Sequence, residues 1–265
     1  MTERDRSEAA DIKDSVRRQF GQVAANYSRS AVHARGPDLE AMVQAAALQG
    51  EEHLLDAGTG TGHTALAFAP HVAQVVALDL TAAMLAQGQH LAAERGLHNI
   101  AFRRGDVEHL PFDNASFDLV TSRYSAHHWP HPQLALGEFA RVLRPGGQLL
   151  LADVIAPDNP TGDTFLNAIE LLRDPSHVRD HSVAQWMATL TAAGFAADPL
   201  FTWIVRLDFD DWVTRMATPA PAVAMIKTLL DGAPQEIRRA LQVGPEDYSF
   251  SLRGALFRGR VTART

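Results

Sequence analysis

Two acids and three glycines carry the strongest chemical signal in this chain. The apolar run Leu54-Leu55 ends in Asp56-Ala57-Gly58-Thr59-Gly60-Thr61-Gly62, and a second run, Val75-Val76-Ala77-Leu78, ends in Asp79. Glycine lets a backbone take conformations closed to other residues and lets a ligand lie directly on it. A carboxylate at a strand tip can accept both hydroxyls of a ribose. A strand, a glycine turn, a helix and a strand ending in an acid therefore read as a site for a ribose-bearing cofactor. The plainer alternatives are a glycine turn without a ligand and a helix-capping role for Asp79.

The glycine spacing discriminates between cofactors. Nicotinamide sites use G-x-G-x-x-G, with a pyrophosphate on the helix N-terminus. Here the spacing is G-x-G-x-G, and His63 stands where the third glycine of that pattern would be. S-adenosylmethionine carries no phosphate and asks only for bare backbone. Asp79 suits either cofactor. The segment Gly105-Asp106-Val107-Glu108-His109-Leu110-Pro111-Phe112 favours S-adenosylmethionine, with Asp106 placed to accept from an adenine amine and Val107 to lie against the ring.

Elements must position these residues. Ile12, Val16, Phe20 and Val23 predict a helix over 8–30, and Pro37 and Gly50 bracket a second over 37–49. Strands are expected near 52–57, 73–79, 100–104, 117–121 and 148–154, with helices at 62–70, 81–95 (capped by Thr81) and 132–143. Arg144-Pro145-Gly146-Gly147 reads as a turn. Strands alternating with helices predict an α/β, doubly wound, Rossmann-like sheet. Beyond Pro157 the reading is helical at 161–173 and 182–193, extended at 200–207 and mostly helical over 208–241, with a closing strand over 248–261. The expected organisation is a single domain over 1–265. It comprises a helical arm or lid (1–50), a cofactor core (51–155), a substrate cap with the sixth strand (156–247) and the closing strand (248–265).

Composition narrows the function. The chain has 265 residues, 46% hydrophobic, a formal charge of -7 and no cysteine. An acidic balance argues against a nucleic-acid partner. Absence of cysteine removes disulfides, thiolate zinc sites, cysteine nucleophiles and the thiol chemistry of arsenic methylation. No apolar run approaches a membrane span, and Met1 to Arg6 lacks the apolar core of a secretory signal. The expected location is cytoplasmic.

D-A-G-T-G-T-G, L-D, G-D-x-E-x-L-P-F, S-F-D-L-V and R-V-L-R-P-G-G together resemble the class I S-adenosylmethionine-dependent methyltransferases, specifically the UbiE-like branch, over about residues 20–155. Arg173-Asp174-Pro175-Ser176-His177-Val178-Arg179 and the tryptophan-rich segment after it resemble the YcgJ-like bacterial methyltransferases. The resemblance implies a seven-strand sheet with an antiparallel last strand. It implies that Asp56 and Gly58, Thr59, Gly60 and Gly62 line the methionine portion, Asp79 with Leu80 the ribose, and Asp106 with Val107 the adenine. Tyr27, with His33 beyond it, follows the first helix; the resemblance implies a segment that folds over the cofactor with Tyr27 as a lid contact, the alternative being a plain helix-packing tyrosine. The acceptor would be a small molecule, with an aromatic or quinone-like compound as one option.

Methyl transfer from a sulfonium is an in-line displacement, so the protein's main task is orientation. A base is needed only when the acceptor must lose a proton. The segment Thr121-Ser122-Arg123-Tyr124-Ser125-Ala126-His127-His128-Trp129-Pro130-His131 follows strand four, where the methyl would depart. His127 and His128 are the candidate bases, unless they only shape the loop. The N/D-P-P-Y motif of nucleic-acid amino-methylating enzymes is absent. Arg123, His177 and Arg179 are candidate acceptor contacts, although a solvated turn is the commoner meaning of the Arg173–His181 cluster. Trp186, Trp203 and Trp212 read mostly as core. His127 and His131 are four apart, but Pro130 and Pro132 oppose a helix aiming both at a metal, so no metal is expected. The competing functions are a nicotinamide-dependent oxidoreductase and a non-catalytic S-adenosylmethionine-binding protein. A homodimer is left open.

Overall fold

A computed structural model describes residues 3–30 and 34–261, with side chains from residue 12 onward. His33 and the last four residues of the expected closing strand lie outside the described residues. The sheet has seven strands in the order β3-β2-β1-β4-β5-β7-β6. These are β1 (His53–Ala57), β2 (Gln74–Asp79), β3 (Ile100–Arg104), β4 (Phe117–Arg123), β5 (Leu143–Val154), β6 (Phe195–Leu207) and β7 (Phe250–Val261). The first five pair in parallel, and β7 runs antiparallel between β5 and β6. The expected doubly wound sheet with an antiparallel last strand is thus the observed one.

The central strands β1, β4 and β5 are buried on both faces, which explains their near-continuous apolar runs. One core lies between the sheet and α5 (Pro132–Val142) and α7 (Val183–Ala192), built on Phe139, Trp186 and Phe257. The opposite core gathers Met42 of α2 (Pro37–Ala45), Phe68 of α3 (His63–Phe68) and Trp203. Trp186 and Trp212 are fully buried and Trp203 nearly so, as expected of core residues. The remaining helices are α1 (Glu3–Ser28), α4 (Ala82–Glu94), α6 (Pro160–Arg173), α8 (Phe209–Arg215), α9 (Ala220–Asp231) and α10 (Gln235–Ala240). A third core, around Trp212, Ile226 and Phe250, joins α6 to α8, α9 and α10.

Several local expectations change. Thr81 occupies the N-cap of α4, but its side chain caps nothing; instead its backbone N–H donates to Asp79 Oδ1 at 2.8 Å. Arg144–Gly147 does not stand between helix and strand. β5 begins at Leu143 and the register slips between Phe117 and Leu119, so these residues bulge from the strand, with Gly146 at φ +82°. β6 starts at Phe195, five residues earlier than expected, because Pro199 is tolerated where the register shifts on an edge strand. Helices therefore fall in two groups, one before β6 and one after it. α7 begins with a capping box: Ser182 Oγ accepts from Gln185 N at 3.3 Å, and Gln185 Oε1 accepts from Ser182 N at 2.9 Å.

Candidate active site

The glycine turn sits at the carboxyl end of β1. Gly58, Gly60 and Gly62 all have positive φ (70°, 55° and 82°), so a side chain at any of them would be strained. Their surroundings differ. A Cβ on Gly58 would collide with Ser125, and one on Gly62 would crowd Phe102, whereas one on Gly60 would project into open space. Gly60 thus presents bare backbone to the cavity while its neighbours close the packing beneath.

Asp79 organises this turn. Its Oδ2 accepts from Gly60 N at 2.8 Å and its Oδ1 from Thr81 N at 2.8 Å. Burial pushes its carboxyl upward, and the two amides oppose that shift. Asp56 plays a different part from the expected one. It is buried under the turn, away from the cavity wall, accepting from Thr59 Oγ1 and Ala65 N through one oxygen and Thr121 Oγ1 through the other. Desolvation moves its carboxyl up to about 6, against those hydrogen bonds. Gly62 likewise packs against Phe102 and Gly88 without lining the cavity.

The main cavity is walled by Gly58, Thr59, Gly60, Asp79 and Leu80 on one side, and by Gly105, Asp106 and Val107 on the other. Eight of the ten expected cofactor residues, Tyr27 among them, line it; Asp56 and Gly62 do not. α1 closes over the top. Its Lys13 Nζ reaches Asp106 Oδ2 at 2.7 Å and Glu108 Oε2 at 2.6 Å, and its Tyr27 carbonyl lies 3.3 Å from His63 Nε2. Lys13 and Glu108 had no role in the sequence reading; only the fold brings a residue of the first helix to the loop after β3. Asp106 Oδ1 also accepts from Glu108 N at 3.0 Å, which fixes the loop.

The chain turns sharply after β4. Tyr124 has φ +51°, an unfavourable value for an aromatic residue. It is held by Trp203 Nε1, which donates to its hydroxyl at 2.9 Å, and by the Arg123 guanidinium over its ring at 4.7 Å. Arg123 lines the main cavity, but its Nε is committed to Asp38 Oδ2 at 2.5 Å, a buried ion pair joining β4 to α2. The strained turn delivers His127 and His128 to the junction of the main cavity with a second, smaller one. His128, Phe20, Tyr27 and Tyr124 line both cavities, whereas His127 lines only the second.

The two histidines are electrostatically opposite. His127 Nδ1 lies 2.7 Å from Asp153 Oδ1 at the end of β5. Desolvation opposes a charge there, but Asp153 outweighs it and raises His127 to about 9. Asp153 is itself held low, against its burial, by His127 and the Val154 amide. His128 falls to about 4 through burial and the adjacent His127 charge. Its Nδ1 lies 3.0 Å from the Ser176 carbonyl, which places the proton on Nδ1.

The Arg173–His181 segment is not a solvated turn. Arg173, Asp174, Ser176, His177 and Asp180 are buried. His177 lines neither cavity; its Nε2 meets Asn167 Oδ1 at 3.1 Å, and burial beside His127 drives its imidazole down. Arg179 is likewise turned away, paired with Asp163 Oδ2 at 2.5 Å. The metal expectation also needs restating. His131 goes to Glu108, but His127, Asp153 and Asp180 bring ligand-type atoms within 4.8 Å of one another. His127 and Asp153 already share a hydrogen bond, leaving Asp180 the odd member.

Comparison with known proteins fits this geometry. Residues 55–151 match the family described as methyltransferase domain. A methyltransferase of Bacillus subtilis, YcgJ, is 38% identical over 244 residues, covering 91% of this chain and 96% of its own. The chain belongs to this methyltransferase family. The YcgJ crystal structure superposes with TM-score 0.82 over 85% of the methyltransferase described here and 99% of YcgJ. The UbiE C-methyltransferase of Cellvibrio japonicus is 35% identical over 121 residues, 44% of this methyltransferase and 49% of its own length. Phosphoethanolamine N-methyltransferase 2 of Haemonchus contortus shares the fold alone, at 17% identity and TM-score 0.58 over 85% of this chain and 53% of its own.

Proposed function

We propose that this methyltransferase uses S-adenosylmethionine to methylate a small molecule. The observation that carries the reading is Gly60. It offers open backbone beside a half-buried carboxylate, Asp79, already pinned by two amides and facing the same cavity. That donor set fits a nucleoside and amino-acid cofactor: acceptors for ribose hydroxyls, an acid for an adenine amine, and no phosphate cradle. The Haemonchus protein of the same fold has been solved with S-adenosylhomocysteine, which supports the choice. Membership in a methyltransferase family supports it over a nicotinamide cofactor.

When bound, the cofactor supplies an activated methyl group. The chain's own residues then orient and exclude. Lys13 and the Tyr27 carbonyl hold α1 over the cavity, which shields the transfer from water. His127, kept protonated by Asp153, is the poorer base near neutrality; it stabilises negative charge on an acceptor atom. His128 stays neutral, with its Nε2 3.9 Å from Asp174 Oδ2, and of the two it is the imidazole with a free site for a proton near neutrality. The acceptor belongs beyond His128, on the side away from Asp79. A quinone-like acceptor draws support only from the UbiE-type relatives, and the one described covers less than half of this chain.

Calorimetric titration with S-adenosylhomocysteine tests the cofactor. Saturable binding at micromolar ligand is expected; no heat from folded protein would overturn the reading.

A further inference from the structure

The second cavity holds two polar atoms of opposite character that the protein leaves unsatisfied. Asp180 Oδ2 is buried and accepts no hydrogen bond, and Arg215 Nε is buried and donates none, among the described residues. Both side chains line this cavity. Buried polar groups are nearly always paired, and leaving one unpaired costs on the order of 1–3 kcal/mol. Burial pushes the Asp180 carboxyl well above the usual carboxylate range, so it stands as a neutral acid group opposite a guanidinium, and two unpaired groups in one cavity point to a ligand that satisfies both.

Each is held in place. Asp180 N donates to Asn167 Oδ1 at 2.8 Å and its carbonyl accepts from Asn167 Nδ2 at 3.3 Å, so α6 clamps its backbone while the carboxyl group projects free. His127 and Asp153 lie within 4.8 Å of that carboxyl group without pairing to it. Arg215 ends α8, one helical turn from Trp212. Its neighbour Arg173 is already engaged: Nε donates to the Trp212 carbonyl at 3.0 Å, the guanidinium lies over the Trp212 ring, and NH1 faces Glu170 at 3.5 Å. Arg215 therefore stands beside a like charge with an unused donor. Leu207, Val205 and Leu252 supply apolar wall between these groups.

We propose that the second cavity is the acceptor subsite, and that it takes a small molecule with a carboxylate for Arg215 and a hydroxyl or amine for Asp180. The inference rests on the methyltransferase reading above, because the cavity opens towards the cofactor site through His128 and Tyr27. An acceptor of this class places its donor group beside His127 and His128. It also replaces the quinone-like option with a compact, two-ended polar acid.

The test uses the full-length protein saturated with S-adenosylhomocysteine. It is titrated calorimetrically with 3- and 4-hydroxybenzoate (two-ended), benzoate (anion only), phenol (donor only) and methyl benzoate (neither). At least one two-ended probe should bind roughly tenfold tighter than benzoate or phenol, the worth of one satisfied polar group. Arg215→Met should erase the advantage over phenol, and Asp180→Ala the advantage over benzoate. Both variants should keep the parent affinity for S-adenosylhomocysteine, which verifies their fold. The proposal is overturned if both two-ended probes bind no better than methyl benzoate, or if the preferences survive both substitutions. Failure of the parent protein to bind S-adenosylhomocysteine strikes the cofactor reading instead.

Discussion

At the scale of single residues, Asp79 holds the turn and, in the proposed function, also the ligand. Its oxygens hold Gly60 and Thr81 amides and face the cavity. Asp79→Ala should therefore cut S-adenosylhomocysteine affinity by roughly a hundredfold or more, the sum of lost ribose contacts and a loosened turn. Calorimetry measures this; an unchanged affinity would remove the ribose assignment. His127 gives a second prediction. Its folded value, about 9, lies above the ordinary 6.5, so its pairing with Asp153 stabilises the fold fully below pH 6.5 and is lost as pH rises through 9. The shift corresponds to about 3 kcal/mol. Asp153→Asn should lower the His127 titration from about 9, because burial is then opposed only by Asp180 and Glu170, and should flatten stability between pH 6.5 and 9. Imidazole proton NMR and denaturant titrations across that range read both effects. An unshifted His127 would show that Asp153 is not its partner.

At the scale of elements, α1 crosses the cavity, packed on α4 and tied by Gln19 and Asn26 to the carbonyls of Met216 and Arg215. Lys13 bridges Asp106 and Glu108, and Phe20 meets His128 edge-on at 4.9 Å between ring centroids. The Lys13 charge is held above its ordinary value by those two carboxylates, although burial opposes it. Lys13→Ala should speed dissociation of S-adenosylhomocysteine several-fold and raise hydrogen exchange in α1, leaving exchange in β1 and β4 unchanged. Low-stability elements open locally without global unfolding. Equal exchange throughout the sheet would instead mean that α1 is an integral part of the core. The sequence marked α1 as helical from its apolar spacing. It gave no sign that Lys13 would reach a loop some ninety residues later, because that contact depends on where the helix crosses the sheet edge.

At the scale of the whole molecule, the main cavity draws on the carboxyl ends of β1 to β4 and on α1, so ligand binding should stabilise the domain as one unit. A ligand that binds only the folded state at a hundred times its Kd adds about 2.7 kcal/mol. For a chain of this size that raises Tm by roughly 5–10 °C. Calorimetric scanning with and without S-adenosylhomocysteine should show one transition moving by that amount; a shifted and an unshifted transition would place the helices after β5 in a separate unit. These helices share their third core with Phe250 and Leu252 of β7, which argues for one transition.

The cofactor half was legible in the chain because its determinants are local. A glycine turn, a strand-end acid and a buried apolar strand each need only neighbours in sequence, and β1 to β4 fell within two residues of their expected bounds, whereas β5 began five residues early. The acceptor half was not legible. Asp180 and Arg215 come from the loop before α7 and from α8, and nothing in their local sequence distinguishes them from ordinary surface charges, whereas Asp153 ends the apolar run of β5 as Asp79 ends that of β2. His177 and Arg179 carried a family-like motif, yet they pair with Asn167 and Asp163 and line neither cavity. Asp56 and Gly62 belong to the glycine motif but support it from beneath. The sequence by itself determined the parallel sheet and the glycine turn with its strand-end acid, since backbone conformation and strand burial are set by nearest neighbours. Only the tertiary structure decided which histidine is charged, which acids lack a partner and which side chains line the second cavity, because desolvation and charge coupling depend on what the fold brings close from afar.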